Sequence, residues 1–176
     1  DVYRDPIALP TKLYFGNYAE VFLVGDFRIF YQNSILVTLA SVCGIAIVSL
    51  TAAYALARYR FRGRETVYYL FMFGMVIPPS TILISNFIIL ARLELVNTYQ
   101  GIILVYLSWV PAAVFILRAY FEEIPADIID SARIEGCSEL GIIWRIILPI
   151  SKPAIATVVI FFFVWIFNYL LWPLVI

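Results

Sequence analysis

Histidine is missing from this 176-residue chain. That absence excludes imidazole general bases and imidazole metal ligands. Cysteine is scarce. Cys43 lies in an apolar run and Cys137 in a polar loop, a difference in surroundings that argues against a disulfide between them. Charge is short as well: 14% of residues are charged, where soluble domains carry about 25%. With 64% hydrophobic residues and a mean hydropathy of +0.96, the chain cannot cover itself with polar surface, which excludes a water-soluble globule. Neither sign dominates, because 12 Lys and Arg balance 12 Asp and Glu. The basic footprint of a nucleic-acid binder is therefore lacking. No G-x-x-x-x-G-K-[ST] phosphate loop occurs, so no nucleotide hydrolysis is expected on this chain. No catalytic residue, metal site or cofactor is expected on it either.

What the sequence has in quantity is uncharged apolar chain. Residues 29–57, 66–91, 95–117 and 153–176 contain no charged residue at all. Each suffices to cross a hydrocarbon core of ~30 Å, which takes roughly 20 helical residues. Burying charge in lipid is costly, so this segregation predicts an all-α polytopic membrane protein with about four spans. The first span carries a run of small residues, among them Ser34, Ala40, Ser41, Gly44, Ala46, Ser49, Ala52 and Ala53, which suits close helix packing. Pro78-Pro79 predicts a kink in the second, beside a translocation path or against neighbouring helices, and Pro111 predicts one in the third.

Arginine sets the orientation. Arg58, Arg60, Arg62 and Arg64 crowd the loop 58–65, a cytoplasmic signal. By alternation the loop 118–152, with Arg118, Arg133, Arg145 and Lys152, is cytoplasmic too. Residues 1–28 then form an external arm, with a short helix over 16–24 and interfacial aromatics at Tyr14, Phe15, Tyr18 and Phe22. The chain starts with Asp on the outer side and stops in an apolar run, so further spans are expected beyond it.

The loop 118–152 is far longer than a helix connection needs. Its apolar content predicts two short helices. The first opens at Pro125 with Asp127 near its positive end and runs to about Glu135. Gly136 stops it and Ser138 caps the second. There Ile142, Ile143, Ile146 and Ile147 share one face, which needs covering by the membrane, by the spans, or by a partner protein.

Asp130-Ser131-Ala132, three residues, Gly136, nine residues, Ile146, one residue and Leu148-Pro149 together resemble the EAA motif of ABC importer permeases, E-A-A-x3-G-x9-I-x-L-P. Asp130 stands for the Glu and Ser131 for the first Ala. The stretches NSILVTLA, AYALARYRFRGR, IPPSTILI, LVNTYQGIILVY and EEIPADIIDSARIEGCSELGIIWRIILPISKPAIAT are similar to the MalG-like sugar permeases of that family. The resemblance implies a type I importer permease in the bacterial or archaeal inner membrane, here a fragment of about four spans plus a coupling helix. It implies that Asp130, Ser131, Ala132, Gly136, Ile146, Leu148 and Pro149 couple the chain to a cytoplasmic ATPase dimer carrying ATP and Mg. A second permease, hetero- or homodimeric, and an external solute-binding protein are the other implied partners, within membrane lipid.

Alternating access would move the solute. The charge-free spans suit a neutral one such as a sugar, and Asn86, Trp109, Trp165, Asn168 and Tyr169 are the candidate path residues. A permease for a polyamine or peptide is the alternative of the same class. A stand-alone channel calls for ionisable residues in the spans, which are absent; a scaffold that only recruits a partner remains open.

Overall fold

The computed structural model describes residues 16, 20–22 and 26–176. Tyr14, Phe15 and Tyr18 of the expected aromatic arm lie outside the described residues, as does most of the expected helix over 16–24; Gly16, Glu20, Val21 and Phe22 are helical. The described residues up to position 35 belong to one unit and residues 36–176 to another. In the first, Phe22 meets Phe27 edge to face at 5.1 Å, and Phe27 stacks on Tyr31 at 6.0 Å.

All described elements are helical. The longest, α1 (Phe27–Arg58), buries Ser41, Ile45, Ser49, Ala53 and Tyr54 along one side. Its small residues allow the close approach the sequence predicts: a Cβ on Gly44 would meet Leu107 Cδ2 at 2.8 Å. Ser49 Oγ donates to Ile45 O of its own helix at 2.6 Å, which removes a polar burden from the packed face.

The apolar stretch 66–91 is not one helix. It is α2 (Arg64–Val76) and α3 (Leu83–Arg92), separated at Pro78-Pro79. Ile77 is extended, at φ −79° and ψ 116°, as proline requires of the residue before it. Two consecutive prolines remove two donors, so the helix ends instead of bending. A Schellman turn closes α3: Leu95 N–H donates to Leu90 O at 2.9 Å and Glu94 N–H to Ala91 O at 3.2 Å, with Glu94 at φ +57°.

The third stretch is α4 (Tyr99–Tyr106), a tight turn over Leu107–Trp109, and α5 (Val110–Glu123). The irregular turn falls where the Pro111 ring would crowd the Leu107 carbonyl. Helix α5 runs on through Arg118 to Glu123, and Arg118 is buried. After the loop come α6 (Ala126–Ile134), α7 (Glu139–Ile142), a widened π turn (Ile143–Ile147) and α8 (Leu148–Ile150). Finally α9 (Lys152–Phe167) and α10 (Leu171–Val175) complete the chain. Helix α5 packs against both α2 and α9 and contributes Ala113, Val114, Leu117 and Phe121 to the core. Among the described residues, three stretches, Phe27–Arg58, Tyr99–Glu123 and Lys152–Val175, are long and apolar enough to cross a membrane.

Gly101 marks the tightest backbone approach. Thr98 caps α4 by accepting from Gly101 N at 3.1 Å, and a Cβ on Gly101 would collide with the Leu95 carbonyl oxygen. Gly101→Ala is expected to lower stability by about 1–3 kcal/mol. Gly44→Ala should cost less, because the Leu107 methyl it meets can move. Thermal midpoints of the two variants in detergent measure the order; a Gly101→Ala midpoint at or above that of Gly44→Ala contradicts it.

Candidate functional site

The loop folds into an elbow. Helix α6 starts at Pro125, with Asp127 in its first turn, and ends at Gly136, whose φ is +82°. Cys137 N–H donates to Ala132 O and Gly136 N–H to Arg133 O, both at 3.0 Å, a Schellman turn that satisfies the last carbonyls of the helix. Ser138 Oγ then accepts from Gly141 N at 3.2 Å and opens α7. The stop and start that the sequence predicts are both present. Glycine suits the stop because a side chain at this φ costs roughly 1–2 kcal/mol.

The elbow has an inner and an outer side. Ile129, Ala132, Ile142, Ile143 and Ile147 are buried in the chain's own core. Ala132 therefore gives close approach inward. Outward stand Ile134 at 88% exposure, Leu140 at 65% and Trp144 at 53%, beside Gly136, where a Cβ would meet nothing within 4 Å. Asp130 is exposed and pairs with Arg133 at 3.2 Å. Ser131 turns its hydroxyl onto its own helix, donating to Asp127 O at 2.7 Å. Ile146 and Leu148 are half-buried against the core and Pro149 is exposed. Pro149 lacks a donor and would crowd the Arg145 carbonyl in a regular helix; the π turn just before it gives that carbonyl room.

Two charged clusters hold the elbow and its flanks, and neither is visible in the sequence. In the first, Arg133 donates to Glu139 at 2.8 Å, while the phenol of the buried Tyr54 donates to the same carboxylate at 3.0 Å. The Arg133 guanidinium also lies 5.9 Å from the Tyr59 ring centre. Arg58, the last residue of α1, donates to the carbonyls of Phe121 and Ile124 at the end of α5, where the Phe121 carbonyl also accepts from Ile124 N–H at 3.3 Å. In the second cluster Arg118 binds Glu122 at 2.8 Å and Glu65 at 2.9 Å, and lies 3.7 Å from the Tyr68 ring centre. This joins α5 to the start of α2.

The candidate path residues separate into groups. Trp109 and Trp165 come together at 4.9 Å between ring centres, with Phe161 5.4 Å from Trp165. Tyr169 meets Tyr106 edge to face at 6.5 Å. Asn168 is exposed and donates to Val164 O at 2.7 Å, so its amide is spent on its own helix. Asn86 stands half-buried on α3, with no hydrogen bond joining its side chain to the others among the described residues. No group of three or more Cys, Asp and Glu side chains suited to a metal stands among those residues.

Hydrogen bonding from Arg133 holds the Glu139 carboxyl below its usual value of 4.5, and the same bond raises Arg133. Burial, then Glu139, raises the Tyr59 phenol. Because the folded Glu139 value is depressed, its stabilising contribution is present above pH 4.5 and is lost as pH falls through the folded value. Glu139→Gln should lower the thermal midpoint at neutral pH, and the two proteins should converge in acid. A gap between them that stays constant into acid would show that the carboxylate charge does nothing here.

The comparisons with known proteins agree with this architecture. The family described as "Binding-protein-dependent transport system inner membrane component" matches residues 44–176. The diacetylchitobiose uptake system permease protein NgcG of Streptomyces coelicolor is 29% identical over 98% of this chain and 58% of its own length. The arabinooligosaccharides transport system permease protein AraQ of Bacillus subtilis is 34% identical over 95% of this chain and 59% of its own. The osmoprotective compounds uptake permease protein GgtD of Synechocystis is 35% identical over 99% and 58%. The chain thus spans under three fifths of the length of these relatives. A crystal structure of a bacterial ABC transporter involved in the import of the acidic polysaccharide alginate superposes with a TM-score of 0.82 and 29% identity, covering 91% of this chain and 56% of that one. Matched over three quarters of its length, with an all-helical fold that superposes on an importer, the chain belongs to the family of binding-protein-dependent transport system inner membrane components.

Proposed function

We propose that this chain is the membrane-spanning part of an ATP-driven importer that moves a sugar or a related neutral solute across the inner membrane by alternating access. The observation that carries the proposal is the elbow. Its inner face is tied into the helices, while Ile134, Leu140 and Trp144 present apolar surface outward around a glycine turn without a side chain. An apolar helix face of this kind is suited to a groove on another protein. A cytoplasmic ATPase is the partner such a lever needs, since the chain has no phosphate loop of its own. The four arginines of the loop 58–65 support a cytoplasmic position for that loop, and the bonds of Arg58 to Phe121 and of Arg118 to Glu65 support the same side for the start of the elbow. A second permease and an external binding protein would complete the assembly.

In this mechanism ATP-driven closure of the partner pushes on the elbow. Arg133 and Glu139 keep α6 and α7 together, Tyr54 passes the displacement to α1, and Arg58 passes it to the end of α5. The outward- and inward-facing states then exchange as rigid helices shift. Sugar specificity is supported by the charge-free spans and by relatives named for diacetylchitobiose and arabinooligosaccharides. The paired faces of Trp109 and Trp165, both partly exposed, are the candidate sugar platform.

Co-purification from the native cell tests the assembly; a chain that comes out folded with no ATPase would sink it. Gly136→Asp and Asp130→Ala should retain assembly and lose transport, whereas normal transport in both would remove the elbow from coupling. Gly136→Asn should lose less than Gly136→Val, because asparagine tolerates the left-handed turn. Transport rate against ATPase rate in reconstituted vesicles separates uncoupling from misfolding. Trp165→Ala should raise the KM for solute and leave basal ATPase activity unchanged.

A further inference from the structure

The loop between α1 and α2 has chemistry that transport does not use. Arg60, Phe61, Arg62, Gly63, Arg64, Glu65 and Thr66 line a shallow, open cavity on the surface. Its charges are unequally committed. Arg64 is engaged by Glu65 at 3.1 Å and Glu122 at 3.4 Å. Glu65, the one carboxylate of the lining, is also held by Arg118 at 2.9 Å. Arg60 and Arg62 are exposed and form no ion pair among the described residues. Two uncompensated guanidiniums therefore flank Phe61, itself 45% exposed.

The surroundings of the cavity say where its ligand resides. Just beyond it, α2 exposes Tyr69, Leu70, Phe73 and Val76, each by 65% or more. In a multi-pass membrane protein such a face turns toward acyl chains. The cavity lies at the first turn of the same helix, within about 5–10 Å of that face at 1.5 Å per residue, which is headgroup depth. Guanidinium groups match phosphate oxygens in a two-pronged fashion, and arginines clustered beside a span attract anionic lipid.

We propose that the loop 60–66 is a binding site for the phosphate of an anionic phospholipid, with Arg60 and Arg62 pairing its oxygens and Phe61 beside the apolar part of the lipid. A free phosphate ion shares the charge contact and lacks the apolar one. The proposal does not rest on the transport reading, since only lipid binding is at issue.

Native mass spectrometry of the protein purified in mild detergent, titrated with phosphatidylglycerol or phosphatidylcholine, tests it. The wild type should retain phosphatidylglycerol in preference to phosphatidylcholine. R60Q/R62Q should bind phosphatidylglycerol about 10–30-fold more weakly, at roughly a factor of five per arginine. R60K/R62K should bind at a level between the wild type and R60Q/R62Q, keeping the charge and losing the two-pronged geometry, and inorganic phosphate should not displace the lipid. Equal retention of the two lipids by the wild type would overturn the proposal without any variant. Undiminished retention by a normally eluting R60Q/R62Q would do the same, and displacement by inorganic phosphate would assign the site to a soluble anion instead.

Discussion

The carboxylate of Glu139 joins two parts of the chain that are far apart in sequence. It accepts from Arg133 on the elbow and from the buried Tyr54 near the end of α1. Without it, α6 and α7 would rest on the bundle only through apolar contacts, which resist sliding poorly because they have no direction. Charged hydrogen bonds do have direction, and here they converge from two elements on one group. The surface pair alone is worth little, roughly 0–1 kcal/mol for exposed pairs. Its value is geometric: it fixes where the elbow sits on α1, which undirected apolar contact alone does not.

Arg58 and Arg118 solve a related problem at the ends of apolar helices. Each ends or follows a long uncharged segment, where an isolated charge would be expensive. Arg58 uses its guanidinium on the two carbonyls at the end of α5, and Arg118 uses two carboxylates and an aromatic face. The same charges that bound the apolar segments thereby fasten neighbouring helices to one another.

Much of the elbow was legible in the sequence because its punctuation is local. Pro125, Gly136 and Ser138 act through their own backbone geometry, so their effect needs no knowledge of the rest of the fold. The division of 66–91 into two helices was half legible: hydropathy sees an unbroken apolar run, while Pro78-Pro79 signals trouble without saying whether the helix bends or stops. The partners of Glu139, Arg58 and Arg118 were not legible. Tyr54 and Glu139 are 85 positions apart, and nothing in the spacing of either residue announces the other. The pairing of Trp109 with Trp165 across two helices was invisible for the same reason, although each was a candidate singly. Arg118 was read as the start of a loop because charge usually ends a span; tertiary ion pairing let the helix continue instead.

The π turn over Ile143–Ile147 changes how the chain is counted. A widened turn accommodates one residue more than a regular helix does over the same circuit. The side chains of α8 are consequently rotated by about 100° from where a 3.6-residue period would place them. For this segment, the unit that matters is angular: removing a single residue between positions 143 and 147 would turn Leu148 and Pro149 to a different side of the elbow.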